Sequence, residues 1–124
     1  MSLATQTMNE PTAREIPSAD RSVLLVEDDR SFVQRLAKAL ESRGFTVRTA
    51  ESVAAGLAEV EQSPPAYAVV DMRLGDGNGL EVISALKRRK PDARVEVFEG
   101  AGHSIQGDKP IELARFLESL LPPR

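Results

Sequence analysis

The chain of 124 residues contains no cysteine, which excludes disulfides, thiolate nucleophiles and cysteine-ligated zinc. Positive charge is not in excess either. Lys and Arg number 16 against 19 Asp and Glu, a formal net charge of -3, so there is no broad basic field to hold nucleic acid. No apolar run approaches a membrane span, and the amino terminus lacks the apolar core of a signal peptide. A cytoplasmic location without membrane contact is the default expectation. Internal repeats are absent. What remains is an ordinary globular composition, 41% hydrophobic and 28% charged, in a length that suits one small domain with a real core.

Residues 1–20 are rich in Thr, Ser, Pro, Ala and Glu and show no apolar period, which predicts a disordered leader. Residues 21–124 read as a single α/β domain. Val23, Leu24, Leu25 and Val26 form a continuous apolar run, the pattern of a strand buried on both faces. Ser31 with Gln34 predicts a capping box for a first helix, with Phe32, Val33, Leu36, Ala37 and Leu40 on its buried face and a stop at Gly44. Phe45, Val47 and Thr49 alternate with Thr46, Arg48 and Ala50, as in a strand at a sheet edge. Ser52 opens a second helix with Val53, Leu57 and Val60 inward, closed by Ser63, Pro64 and Pro65.

A third unit follows. Ala68, Val69 and Val70 are a buried strand, and Asp71 ends it where ligands bind in open parallel sheets. Gly75, Asp76, Gly77, Asn78 and Gly79 predict a loop, and Asn78 with Glu81 a capping box for a third helix burying Leu80, Ile83 and Leu86. Its last turn, Lys87 to Lys90, reads as a solvated basic end that complements the helix dipole. Val95, Val97 and Phe98 supply a fourth strand, and Asp108 to Leu121 a last helix with Ile111, Ala114, Phe116, Leu117, Leu120 and Leu121 apolar. Strict strand-helix alternation predicts an α/β sandwich, a parallel sheet with right-handed crossovers and helices on both faces.

Three acids, Glu27, Asp28 and Asp29, stand at the end of the first strand. Like charges placed so close raise one another's pKa unless something positive joins them, although acids also suit a helix amino terminus. If the first and third strands are neighbours, Glu27, Asp28 and Asp71 converge. Oxygen ligands alone suit a hard divalent cation such as Mg2+, and Asp71 could then attack phosphorus.

LLVEDD at Leu24 to Asp29, with VVDMRLGDGNGLEVI at Val69 to Ile83, resembles the receiver domain of two-component response regulators, in particular those of redox-responsive global regulators. The resemblance runs from about Arg21 to Val95 and implies a flavodoxin-like fold, expected here as a four-stranded parallel sheet of order 2-1-3-4 with two helices on each face and the last helix beside the first. It implies that Asp71 is the phospho-acceptor, that Glu27 and Asp28 with Asp71 hold Mg2+, that the Arg73 backbone carbonyl completes the metal site, and that a sensor histidine kinase is the partner. It implies no enzyme beyond self-phosphorylation and dephosphorylation; a monomer or weak dimer is expected.

Beyond the fourth strand the resemblance departs from the family pattern. Glu99 stands where the family has a Thr or Ser, and Lys109-Pro110 repeats the family's Lys-Pro with no strand before it, which predicts impaired switching. EVFEGAGHSIQGDKPIELARFLESLL from Glu96 looks instead like the carboxyl end of an α/β-hydrolase, with His103 in the catalytic histidine's place, so the chain reads as a chimera. Hydrolysis through His103 lacks a nucleophile, because there is no G-x-S-x-G elbow. The alternative to a phospho-acceptor is an engineered or chimeric scaffold that retains no activity.

Overall fold

A computed structural model describes residues 20–99 and 109–121. Along the chain run β1 (Ser22–Val26), α1 (Arg30–Glu41), β2 (Thr46–Ala50), α2 (Val53–Gln62), β3 (Tyr67–Asp71), a hairpin of β4 (Arg73–Leu74) and β5 (Gly77–Asn78), α3 (Leu80–Arg89), β6 (Arg94–Phe98) and α4 (Lys109–Ser119). The four long strands form one parallel sheet in the order β2-β1-β3-β6. This is the order expected from the sequence, and the fold is the flavodoxin-like α/β sandwich.

Strand alternation divides the apolar run of β1 between two cores. Val23 and Leu25 face α1 and α4 with Tyr67, Val69, Leu36, Leu40, Leu113, Ala114 and Leu117. Leu24 and Val26 face α2 and α3 with Ala68, Val70, Val53, Val60, Val82 and Leu86. α4 packs beside α1 and α2 beside α3, two helices per face as expected, and Ala114 and Leu117 are buried. Among the described residues no helix is long and apolar enough to cross a membrane.

Local details differ from the sequence reading where a distant or better-placed partner wins. α1 starts one residue before Ser31 because Asp29, extended at φ -82°, accepts from Phe32 N at 3.1 Å and caps the helix, so no Ser31-Gln34 box forms. α3 has Gly79 at its N-cap with no side-chain cap; Asn78 Oδ1 accepts from Leu80 N instead of pairing with Glu81 in a box. Leu80, in the first turn, is exposed, and the buried face runs through Val82 and Leu86, one turn apart, with Ile83 partly buried beside them. On α4, Phe116 is exposed and Leu113 is buried. The basic run is more than a solvated end: Lys87 Nζ donates to Pro91 O at 3.3 Å and to Ala93 O, and Arg89 Nη1 donates to Glu61 O at 3.1 Å. It ties the end of α3 to its own exit and to α2.

Gly44 sits at φ +91°, the left-handed position that lets Phe45 N reach back to Leu40 O at 3.1 Å and close α1 as expected. Asp20, placed with the leader by composition, belongs to the folded unit. Its Oδ1 accepts from Ser22 Oγ at 2.7 Å, and Ser22 Oγ in turn accepts from Ala66 N at 2.9 Å. The rest of the expected leader, residues 1–19, lies outside the described residues.

Candidate functional site

The register of the sheet brings the acids together. Val26 is paired with Val70, so the residues just beyond them, Glu27 and Asp71, leave neighbouring strands at the same sheet edge. Glu27 N continues the ladder to Ala50 O at 2.9 Å, which holds its Cα in line with β1. Glu27, Asp28 and Asp71 each present a carboxylate oxygen, and these lie within 4.8 Å of one another. This is the cluster expected from the sequence. Asp29 is not part of it: its side chain caps α1, while its backbone N–H donates to Glu27 Oε2 at 2.8 Å.

Glu27 and Asp71 are almost fully buried, at 4% and 3% exposure, whereas Asp28 is exposed. Burial first, then the neighbouring Asp28 carboxyl, push the Glu27 carboxyl up to about 8; the Asp29 N–H pulls it down, and Asp71 raises it further. Its Oε1 has no hydrogen-bond partner. A buried polar oxygen left without a partner costs on the order of 1–3 kcal/mol, which a bound cation would recover. A hard divalent cation fits this donor set, which is all oxygen, doubly buried and incompletely satisfied. A cavity of about 180 Å³ lined by Glu27, Arg30, Val33, Gln34, Thr49 and Glu51 opens on the α1-β2 side of Glu27, and neither Asp28 nor Asp71 lines it.

The segment after Asp71 is a hairpin, not the open loop that its glycines suggested. Arg73 pairs with Asn78 and Leu74 with Gly77, and Leu74 is buried against the α2-α3 core. Met72 N donates to Phe98 O at 2.9 Å, Gly79 N to Met72 O at 3.0 Å, and Arg73 N to Asp71 Oδ1 at 3.0 Å. The Arg73 side chain projects to solvent and pairs with Glu99 at 3.7 Å, just past the end of β6. Under the site Phe98 stacks on Phe32, with ring centroids 5.2 Å apart, joining the end of β6 to the start of α1. Lys109 opens α4, on the helix that packs against α1. His103 lies outside the described residues.

Gly79 is required by space, because its backbone is ordinary helical at φ -60°. A Cβ there would stand 2.3 Å from the carbonyl oxygen of Asp71 and 2.7 Å from Val70 Cγ1. Gly79→Ala should therefore destabilise the fold by about 2 kcal/mol or more, by overpacking against strand backbone. Gly75, whose Cβ would meet nothing within 4 Å, is the control. Gly75→Ala should stay within about 0.5 kcal/mol of the parent in urea unfolding; equal effects of the two substitutions would refute the close-approach argument.

A residue that sequence reasoning missed is Asp76. It was legible only as a turn former, yet both its oxygens are bonded to α2, with Val53 N at 2.8 Å and Ala54 N at 3.1 Å. No local pattern announces a partner 23 residues upstream.

Comparison with known proteins agrees with this geometry. A family model for the response regulator receiver domain matches residues 23–113. The photosynthetic apparatus regulatory protein RegA of Cereibacter sphaeroides is 60% identical over 84 residues, 68% of this chain and 46% of that protein. The acid tolerance regulatory protein ActR of Sinorhizobium medicae is 52% identical over 84 residues, 68% of this chain and 43% of that protein. Among solved structures, a response regulator from Burkholderia pseudomallei with a phosphorylated aspartic acid, calcium ion and citrate superposes with a TM-score of 0.62 at 32% identity, covering 79% of this chain and 55% of that one. The chain spans less than half the length of the curated relatives it matches.

The family match continues past Val95 to residue 113, into the segment that resembles the carboxyl end of an α/β-hydrolase. That likeness, and the chimera inferred from it, find no support in these comparisons. A strand, a glycine-rich turn and an amphipathic helix in succession are common to α/β units in general. The family match, the sheet order and the acidic cluster at the strand ends lead to one conclusion: the chain belongs to the response regulator receiver domain family.

Proposed function

We propose that this domain accepts a phosphoryl group on Asp71 in a Mg2+-dependent reaction, as the phospho-acceptor of a two-component system. The observation that carries the reading is the convergence of Glu27, Asp28 and Asp71 within 4.8 Å, with one buried Glu27 oxygen unpartnered. Glu27, Asp28, Asp71 and the backbone carbonyl of Arg73 would hold the cation. When bound it would neutralise the cluster and a phosphoryl oxygen. The Arg73 N–H occupies Asp71 Oδ1, which leaves Oδ2 as the nucleophile. An O–P bond forms at Asp71 as the N–P bond to a kinase phosphohistidine breaks, and the imidazole leaves with the electron pair. The donor is a sensor histidine kinase, the source of phosphoryl groups for response regulators generally.

Switching downstream of Asp71 is weakened in this reading. Glu99 offers a carboxylate where a hydroxyl would bind the phosphoryl oxygens, and it is engaged by Arg73. The phospho-acceptor unit is one domain from Asp20 onward, works in the cytoplasm as a monomer or weak dimer, and has no hydrolase activity through His103.

The test is an amide NMR titration with Mg2+ followed by beryllofluoride, a mimic of the phosphoryl group. Shifts around Glu27, Asp28 and Asp71 with Mg2+, and a further saturable change with beryllofluoride, are expected. An intact fold whose signals move with neither would mean that the acids are relics on a scaffold.

A further inference from the structure

The β4-β5 hairpin has two residues per strand, too short a ladder to hold itself. Its position is nevertheless critical, because it carries the Arg73 N–H that is bonded to Asp71 Oδ1. On the sheet side it is held through Met72, which donates to Phe98 O and accepts from Gly79 N. At the tip the only polar anchor among the described contacts is Asp76, bonded through Oδ1 to Val53 N and through Oδ2 to Ala54 N. The two N–H donors, Val53 first, hold this exposed carboxyl below its usual range, so the anchor stays ionised at neutral pH. α2 does not lack a cap of its own: Ser52 Oγ accepts from Ala55 N at 3.0 Å. Asp76 is therefore placed to fasten the hairpin as much as to finish the helix.

We propose that Asp76 is a positioning residue for the phospho-acceptor: its two-pronged bond to the first turn of α2 keeps the β4-β5 hairpin seated, so that Arg73 holds Asp71 and presents its carbonyl to the cation. The inference rests on the phospho-acceptor reading above. Loss of the clamp frees the tip, leaves the hairpin to apolar packing such as that of buried Leu74, and lets Arg73 swing off Asp71. An asparagine at this position keeps one acceptor but turns an amide donor toward the second N–H, so it restores half of the clamp.

The experiment compares the full chain with Asp76→Ala, Asp76→Asn and Ser52→Ala, reading amide exchange by NMR and Mg2+ affinity by titration. Ser52→Ala weakens the same helix end without touching the hairpin. Asp76→Ala should speed exchange at Arg73 by about tenfold or more and weaken Mg2+ binding by about three- to tenfold, with Asp76→Asn between it and the parent. Ser52→Ala should change neither by more than about twofold, and Leu25 and Val69 should stay protected in every variant. If Asp76→Ala loosens only Val53 and Ala54, as a lost helix cap would, and leaves Arg73 exchange and Mg2+ affinity at parental values, the proposal is wrong. If the parent itself binds no Mg2+, the phospho-acceptor reading fails, and exchange at Arg73 alone then decides: acceleration upholds the clamp, and none overturns it.

Discussion

Replacing Glu27 with glutamine should make the metal-free domain more stable by about 3 kcal/mol at pH 7, while cutting its Mg2+ affinity by about 100-fold or more. The gain follows from a carboxyl pushed from 4.5 up to about 8, chiefly by burial. Such a group binds its proton more tightly folded than unfolded. The cost of burying it is absent below pH 4.5, where both states are protonated, grows as the pH climbs from 4.5 to about 8, and is constant above. Glutamine carries no charge at any pH and still offers an acceptor to Asp29 N–H. The two proteins should therefore unfold alike in urea near pH 4 and diverge steadily toward pH 8 in the presence of a chelator. Equal stability of both across that whole window would show that Glu27 bears no such burden. In the proposed site Mg2+ would have to displace the Glu27 proton, so its affinity should rise by about tenfold per pH unit up to pH 8 and then level off.

Asp71→Asn should abolish covalent phosphorylation, with incorporation from a phosphoramidate donor about 100-fold or more below the unmodified domain. An amide oxygen is a poor nucleophile, and no acyl phosphate can form on it. The fold should survive, because asparagine Oδ1 can still accept from Arg73 N, and one negative charge leaves a crowded pocket. The change also removes a neighbour that raises the Glu27 carboxyl, so Glu27 should titrate lower, although burial, its largest cause, remains. Intact-mass measurement after incubation with donor and Mg2+ checks the first claim. Persistent incorporation that is labile to hydroxylamine would reveal a second carboxylate acceptor and remove Asp71 from the role assigned to it.

Much of this was visible in the linear order. Four apolar runs alternate with amphipathic stretches, and each became a sheet strand or helix within a residue or two. Glu27, Asp28 and Asp71 could be grouped beforehand because parallel strands end at a common edge and β1 and β3 are the two most apolar. The capping details were less legible. Ser31-Gln34 and Asn78-Glu81 both satisfy the pattern of a capping box, but Asp29 is better placed for α1, and Gly79 must lie against the Asp71 carbonyl at the start of α3. The segment after Glu96 misled for a related reason: its string of strand, glycines and helix is shared by unrelated α/β proteins.

The sequence by itself determined the elements of the sheet and its helices (though not the β4-β5 hairpin), the two-sided burial of β1 and β3, and which carboxylates reach the sheet edge, because these depend on side-chain periodicity within a few residues. Tertiary structure alone decided which acid does what. Asp29 is spent on a helix cap, Glu27 is trapped with an unpartnered oxygen, Asp28 stays in water, and Asp76 clamps a helix far upstream. Those assignments depend on which donors arrive from other elements, and no local pattern encodes a hydrogen bond to a residue brought near only by folding.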